Sequence, residues 1–189
     1  MLFRSHLLQN PTASGTAQRH AEVSAGLREG VARATHLVHQ LLALERARAE
    51  PNGELPPRTA LDAVVRDRLA MAAPLALQRD IEIEFQADGA CVRPVHLESL
   101  AALVDNLVGN AIKYTPSSGR IHVRLQGLAP GDGCRLTIAD QGPGIAPALR
   151  QKVFERFYRI PGQEATGSGL GLAIAERAAH RNEAHITLS

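Results

Sequence analysis

The sequence predicts an α+β fold, a two-layer sandwich with helices on one face of a sheet, preceded by a helical hairpin. Three observations predict it. Residues 81–85, 121–125 and 135–139 alternate apolar and polar side chains, as half-buried strands do. Longer stretches repeat apolar residues at three- and four-residue steps, as helices do. Strands and helices also fall in separate groups, which favours an α+β sandwich over a doubly wound sheet.

Composition sets the bounds. The 189 residues suffice for one ordinary domain and a small appendage. A hydrophobic content of 44% and a charged content of 21% are those of a soluble globular chain. A net charge of +2 gives no electrostatic case for a nucleic-acid partner, and none is expected. Tryptophan is absent, so the core must be built from Leu, Ala, Val and Ile. No apolar run reaches the roughly 18 residues a membrane helix needs, so no membrane segment is expected in this chain. The first residues are too quickly polar for a signal peptide. Cys91 and Cys134 lie far apart without a C-x-x-C pattern, and they read as two reduced core thiols.

Each element then follows in order. Residues 17–49 read as a helix, with Val23, Leu27, Val31, Ala34, Val38, Leu41 and Leu42 forming an apolar stripe. Pro11, Ser14 and Gly15 mark a turn before it, and residues 1–9 read as the end of a preceding helix. A hairpin over residues 1–50 is too thin to stand alone. Its stripe is expected to meet a second copy in a dimeric four-helix bundle. Residues 51–57, rich in proline, form a linker and a domain boundary. Residues 58–189 form the second domain. Thr59 is expected to cap a helix over 60–77. Strands follow at 81–85 and 90–95, then a long helix over 97–114, stopped by Pro116 and Gly119. Strands 121–125 and 135–139 read as a hairpin through the turn at 129–133. A short helix over 146–154, a loop, a helix over 169–181 and a final strand over 184–188 complete the chain.

The chemistry is concentrated in four places. Asn106 and Asn110 leave one helix face at i and i+4. Two amide oxygens there can hold Mg²⁺ without neutralising it, or the pair can simply be solvated. Lys113, in the next turn, can reach a phosphate as a mobile charge. Tyr114 can lie along a base or pack at the helix end. Asp140 ends an apolar strand. Its carboxylate only accepts hydrogen bonds, which suits adenine's amino group and repels guanine's carbonyl, although Asp also commonly starts a turn. Gly142 and Gly144 follow, then Ile145, and glycine lets backbone approach a ligand closely. Downstream, Gly167, Gly169 and Gly171, with Leu170 and Leu172, open an apolar helix whose amides would point at an anion. This run is neither a P-loop nor a dinucleotide fingerprint. Between these glycine runs lies a short polar loop, like a lid, with Arg159 at its base as a partner for a terminal phosphate.

Taken together, the four motifs resemble those of bacterial two-component sensor histidine kinases. Residues 105–115 resemble the family's N box and residues 140–145 its first glycine box. Residues 154–159 resemble its F box and residues 167–172 its second glycine box. The resemblance covers residues 55–189, and residues 30–42 resemble the second helix of the family's dimerisation and phosphoacceptor domain. It implies a layered GHKL-type ATP-binding fold, shared with heat-shock chaperone ATPases and type II topoisomerases. It further implies ATP and Mg²⁺ as cofactors. Asn106 and Asn110 would hold the metal, Lys113 and Arg159 would meet phosphates, Asp140 would read adenine, and the glycines would form the pocket and lid turns.

The ATPase relatives carry Glu where Asn106 stands. Asn cannot serve as a base for water, so the γ-phosphate would be handed on rather than hydrolysed. The implied route is to a histidine and then to the acceptor Asp of a response regulator receiver domain. The implied setting is a homodimer through residues 17–49, as the cytoplasmic catalytic region of an inner-membrane sensor.

The chain departs from the pattern in two places. The acceptor motif resembles His-Glu-Leu-Arg-Thr-Pro, and the candidate here, His6 through Pro11, keeps only His, Leu and Pro. It also stands close to the second helix, so the acceptor is expected upstream, with His6 a weaker candidate. The other histidines have no acceptor context. Asn182 replaces a turn glycine, which Asn can do because it tolerates positive φ. One closing strand is also expected to be missing after Ser189. Two alternatives stand beside the kinase reading: a non-catalytic ATP-binding dimerisation module without an acceptor histidine, and an anti-sigma-type serine kinase on the same fold.

Overall fold

The computed structural model describes residues 56–129, 133–161 and 168–189. The expected hairpin with its dimer stripe, His6, Gly167 and most of the linker lie outside these residues. The described elements run in the order β1 (Arg58–Ala60), α1 (Leu61–Gln78), β2 (Glu82–Asp88), β3 (Val92–Pro94), α2 (Leu97–Tyr114), β4 (Arg120–Gly127), β5 (Cys134–Ala139) and α3 (Gly171–Arg181). Two 3-10 turns, Pro147–Leu149 and Lys152–Phe154, stand between β5 and α3.

Alternation in β4 sets the two layers. Ile121, Val123 and Leu125 are at most 1% exposed. Their intervening neighbours point outward, where Arg120 pairs with Glu82, His122 with Glu84 and Arg124 with Asp88 at 2.9, 2.9 and 2.6 Å. The sheet order is β2-β4-β5, with β2 parallel and β5 antiparallel to β4. The parallel pair needs a crossover, which β3 and α2 supply. A separate antiparallel pair joins β1 to β3. On the outer face, hydrogen bonds from Arg124 first and Gln86 second hold the Asp88 carboxyl below its ordinary value.

Helix α2 is the centre of the helical layer and packs against both α1 and α3. Its Val104, Val108, Ala111 and Ile112 join Val65 and Leu69 of α1, Ala175 and Ala178 of α3, and Ile121 and Val123 of β4 in one core. The expected two-layer α+β architecture and the β4–β5 pairing are present.

Several local expectations give way to tertiary contacts. Thr59 does not cap α1. It lies in β1, its hydroxyl donates to Pro57 O at 3.1 Å, and the Leu61 N–H is taken instead by Cys91 O at 2.8 Å. The expected helix over 146–154 is two 3-10 turns. Residues 184–188 form no ladder. Ile186 packs against the core from an unpaired segment, so the alternation there serves side-chain burial and not sheet pairing. The left-handed residue after α3 is Glu183, at φ 53°, while Asn182 has φ −101°. Asn182 instead accepts from His96 N at 2.8 Å and donates to Ala178 O at 3.1 Å, tying the end of α3 to the start of α2. The cysteines are not separate thiols. Cys91, just before β3, and Cys134, the first residue of β5, form a disulfide, with Cα atoms 6.0 Å apart.

Candidate functional site

The site grows from the face of α2 turned away from the core. Asn106 and Asn110 are half-buried there. The Asn106 side-chain N–H donates to Ala102 O at 2.8 Å. A carbonyl can only accept, so this bond fixes the amide and leaves Oδ1 directed elsewhere. Gly171, the first residue of α3, sits against both amides. A Cβ there would lie 3.2 Å from Asn106 Oδ1 and 3.5 Å from both the oxygen and the nitrogen of Asn110. The N-box asparagines and the second glycine run, some 60 residues apart in sequence by numbering, thus converge on one point.

The C-terminal end of α2, one turn beyond Asn110, meets the first glycine run. Asp140 is exposed at the end of β5, and its Oδ1 accepts from Gly142 N at 2.8 Å. This is an Asx turn, the plainer role weighed for Asp140, and it leaves Oδ2 for another donor. Gly142 lies under Tyr114: a Cβ there would stand 3.1 Å from Tyr114 O and 2.7 Å from Asp140 Oδ1. Gly144 follows with φ 70°, and half-buried Ile145 accepts through its carbonyl from Arg150 Nε at 3.2 Å. From Asn106 to Tyr114 the helix rises about 12 Å. That is the scale from a purine ring to the phosphates of an extended nucleotide.

Lys113 and Tyr114 are brought to each other. Lys113 Nζ donates to Tyr114 OH at 3.2 Å and lies 4.8 Å from the centre of its ring. Arg159 is exposed, and residues 162–167 of the expected lid lie outside the described residues. The two described flanks of that segment meet where Phe157 N donates to Gly169 O at 2.9 Å. Gly169 has φ 71°, and a Cβ there would approach the Phe157 backbone to 2.7 Å, so this close pass requires glycine. Leu170, 1% exposed, packs with Ile174 and Ala102, while Leu172 is half-buried. Gly167 lies outside the described residues.

Two cavities, of about 400 and 580 Å³, lie elsewhere, one beside Phe154 and Ile186, the other beside Arg68 and Arg181. Neither is lined by Asn106, Asn110 or Asp140, so the candidate site is not one of these two cavities. Sequence reasoning missed Arg68. Its guanidinium holds Asp105, the first N-box residue, through two bonds of 2.7 and 2.6 Å. A single Arg within the sequence of α1 carries no local signal of that role.

A helical layer on a mixed sheet, with paired asparagines meeting the glycine that opens α3 and an Asp turn at the C-terminal end of the asparagines' own helix, defines an ATP-binding domain of the layered type. Comparison with known proteins agrees. Residues 96–189 match the family described as "Histidine kinase-, DNA gyrase B-, and HSP90-like ATPase". The swarming motility regulation sensor protein RssA of Serratia marcescens is 34% identical over 200 residues, covering 100% of this chain and 42% of RssA. The solved mycobacterial sensor histidine kinase MprB is 34% identical with a TM-score of 0.58, covering 68% of this chain and 81% of that one. Full-length ShkA, solved in complex with AMPPNP, is 27% identical with a TM-score of 0.68, covering 87% of this chain and 34% of that one. The chain belongs to the sensor histidine kinase family and carries its ATP-binding catalytic region. It spans about two fifths of RssA. Among the described residues, no helix is long and apolar enough to cross a membrane.

Proposed function

We propose that this region binds ATP with Mg²⁺ and presents the γ-phosphate to a histidine, from which it passes to the acceptor Asp of a response regulator receiver domain. The observation that carries the reading is the meeting of Asn106 and Asn110 with Gly171. Two neutral amide oxygens suit a hard cation that must keep its charge for phosphate oxygens. When bound, Mg²⁺ supplies charge neutralisation on the phosphates. The protein's own groups do the rest. Asp140 accepts from the adenine amino group through its remaining oxygen. Lys113 leaves Tyr114 for a phosphate, and Arg159 meets the terminal phosphate from the lid base. Gly142, Gly144, Ile145, Gly167, Gly169, Leu170 and Leu172 shape the pocket and the lid turns. Neither asparagine can take a proton from water, so positioning and electrostatics carry the transfer. The relatives named above favour this reading over a non-catalytic module or a serine kinase. The homodimer through residues 17–49, the acceptor upstream of or at His6, and the cytoplasmic setting of a membrane sensor belong to the same proposal.

The adenine assignment is tested with Asp140→Asn. The amide turns one of two acceptors into a donor, costing about 1.5–3 kcal/mol of a charge-assisted bond. Calorimetry is expected to find at least tenfold weaker ATP binding by a fold that circular dichroism finds intact. Wild-type affinity in that variant removes Asp140 from the pocket.

A further inference from the structure

An unusual amount of hydrogen bonding gathers where α1 ends. Arg79, the residue after α1, reaches across to the end of α2. Its Nη1 donates to Ile112 O and Lys113 O, both at 2.7 Å, and its Nη2 donates to Thr115 O at 3.4 Å. The last carbonyls of a helix have no partner within it and carry its negative end. Here a guanidinium from another element satisfies them with charge as well as with donors. Thr115 completes the cap by donating its hydroxyl to Ala111 O at 2.7 Å, and it is 1% exposed.

The tie is returned from the other side. Ser117 Oγ donates to Arg79 O at 3.1 Å, and Ser118 Oγ donates to Asp80 Oδ2 at 2.5 Å. Asp80 and Ser118, at φ 56° and 62°, hold left-handed turns facing each other across this contact. A further bond brings in the turn after Asp140. Gln141 Oε1 accepts from Arg120 N at 2.9 Å, just past Ser118 and Gly119. Lys113 is itself one of Arg79's acceptors and Tyr114 stands between Lys113 and Thr115, and Tyr114 O is the backbone atom nearest a Cβ placed at Gly142, at 3.1 Å.

We propose that Arg79 is a positioning residue for the adenine end of the nucleotide site: its fork fixes the last turn of α2 against the Asp140–Gly142 turn, and so sets where Lys113 and Tyr114 stand. The proposal rests on the ATP reading above. Arg79 itself touches no nucleotide. Arg79→Met keeps the apolar stem and removes the fork, leaving two or three carbonyls unsatisfied. Arg79→Lys keeps the charge but loses the planar geometry.

The experiment is calorimetric titration of the full chain with ATP and with GTP, each with and without Mg²⁺, at a temperature where circular dichroism finds every variant fully folded. Loss of stability alone then leaves affinity unchanged. Arg79→Met is expected to weaken ATP binding about tenfold and to narrow the preference for ATP over GTP. The Mg²⁺ dependence, set at Asn106 and Asn110, is expected to persist. Arg79→Lys is expected to fall between, and Arg124→Met, which removes a surface arginine from the outer sheet face, to match the unaltered chain. Undiminished affinity and preference in folded Arg79→Met overturn the proposal, whatever its melting temperature. Should Arg79→Met fail to fold, Arg79→Lys is read by the same two criteria. Absence of ATP binding by the unaltered chain is a distinct result, seen without any substitution, and overturns the ATP reading with this proposal.

Discussion

Asn106 and Asn110 ride on a helix whose opposite face is the core of the domain, whereas Asp140 stands exposed at a strand end, its side chain held by one hydrogen bond from Gly142 N. The asparagine end of the candidate site inherits its geometry from packing: Val104 and Val108 beside the asparagines are at most 1% exposed. The Asp140 end inherits its geometry from its local Asx turn and from ties that cross between elements: the Gln141 bond, the Arg79 fork, and the disulfide at the far end of β5. Packed geometry resists single substitutions on its polar face. Tied geometry fails when one tie is cut.

Cutting the disulfide is the largest test of that contrast. The 43-residue separation between Cys91 and Cys134 corresponds to about 4 kcal/mol of stability in the loop-entropy picture. Reduction, or Cys91→Ser with Cys134→Ser, is expected to lower the melting midpoint by about 10 °C. Hydrogen exchange is expected to find β5 amides losing protection before those of α2. Equal loss in both elements would mean that the two ends of the site share one source of rigidity. A smaller effect is expected at the lid base. Gly169→Ala forces a Cβ into the Phe157 backbone at positive φ, at a cost of about 1–3 kcal/mol. ATP affinity is expected to fall about tenfold while β5 and α2 keep their exchange protection. Unchanged affinity would detach the lid base from nucleotide binding.

The same contrast explains what the sequence discloses. Helix α2 is legible end to end, Leu97–Tyr114, because its apolar period is regular and Pro116 and Gly119 follow it. The alternation of β4 is legible because one of its faces is fully buried. The residue types proposed for the site stand out in the sequence because a magnesium cradle, an adenine acceptor and a close backbone pass would each demand particular side chains. The ties are not legible. Arg79 to Lys113 spans 34 residues and His96 to Asn182 spans 86, and nothing local distinguishes a tying Arg or Asn from a solvated one. The cysteines mislead for the same reason, since spacing in sequence says nothing of the 6.0 Å between their Cα atoms. Residues 184–188 mislead differently: burial of Ile186 imposes alternation without a partner strand.

The central claim is that two neutral amides, on a helix held by the core and meeting the glycine that opens α3, make ATP binding depend on magnesium. Calorimetry of the folded chain with ATP, titrated with and without Mg²⁺, tests it most directly when repeated on Asn106→Ala with Asn110→Ala. The account predicts heat of ATP association that strengthens with Mg²⁺ in the unaltered chain and loses that dependence in the double variant. No association heat from well-folded protein, or a magnesium dependence that survives removal of both amides, would contradict it.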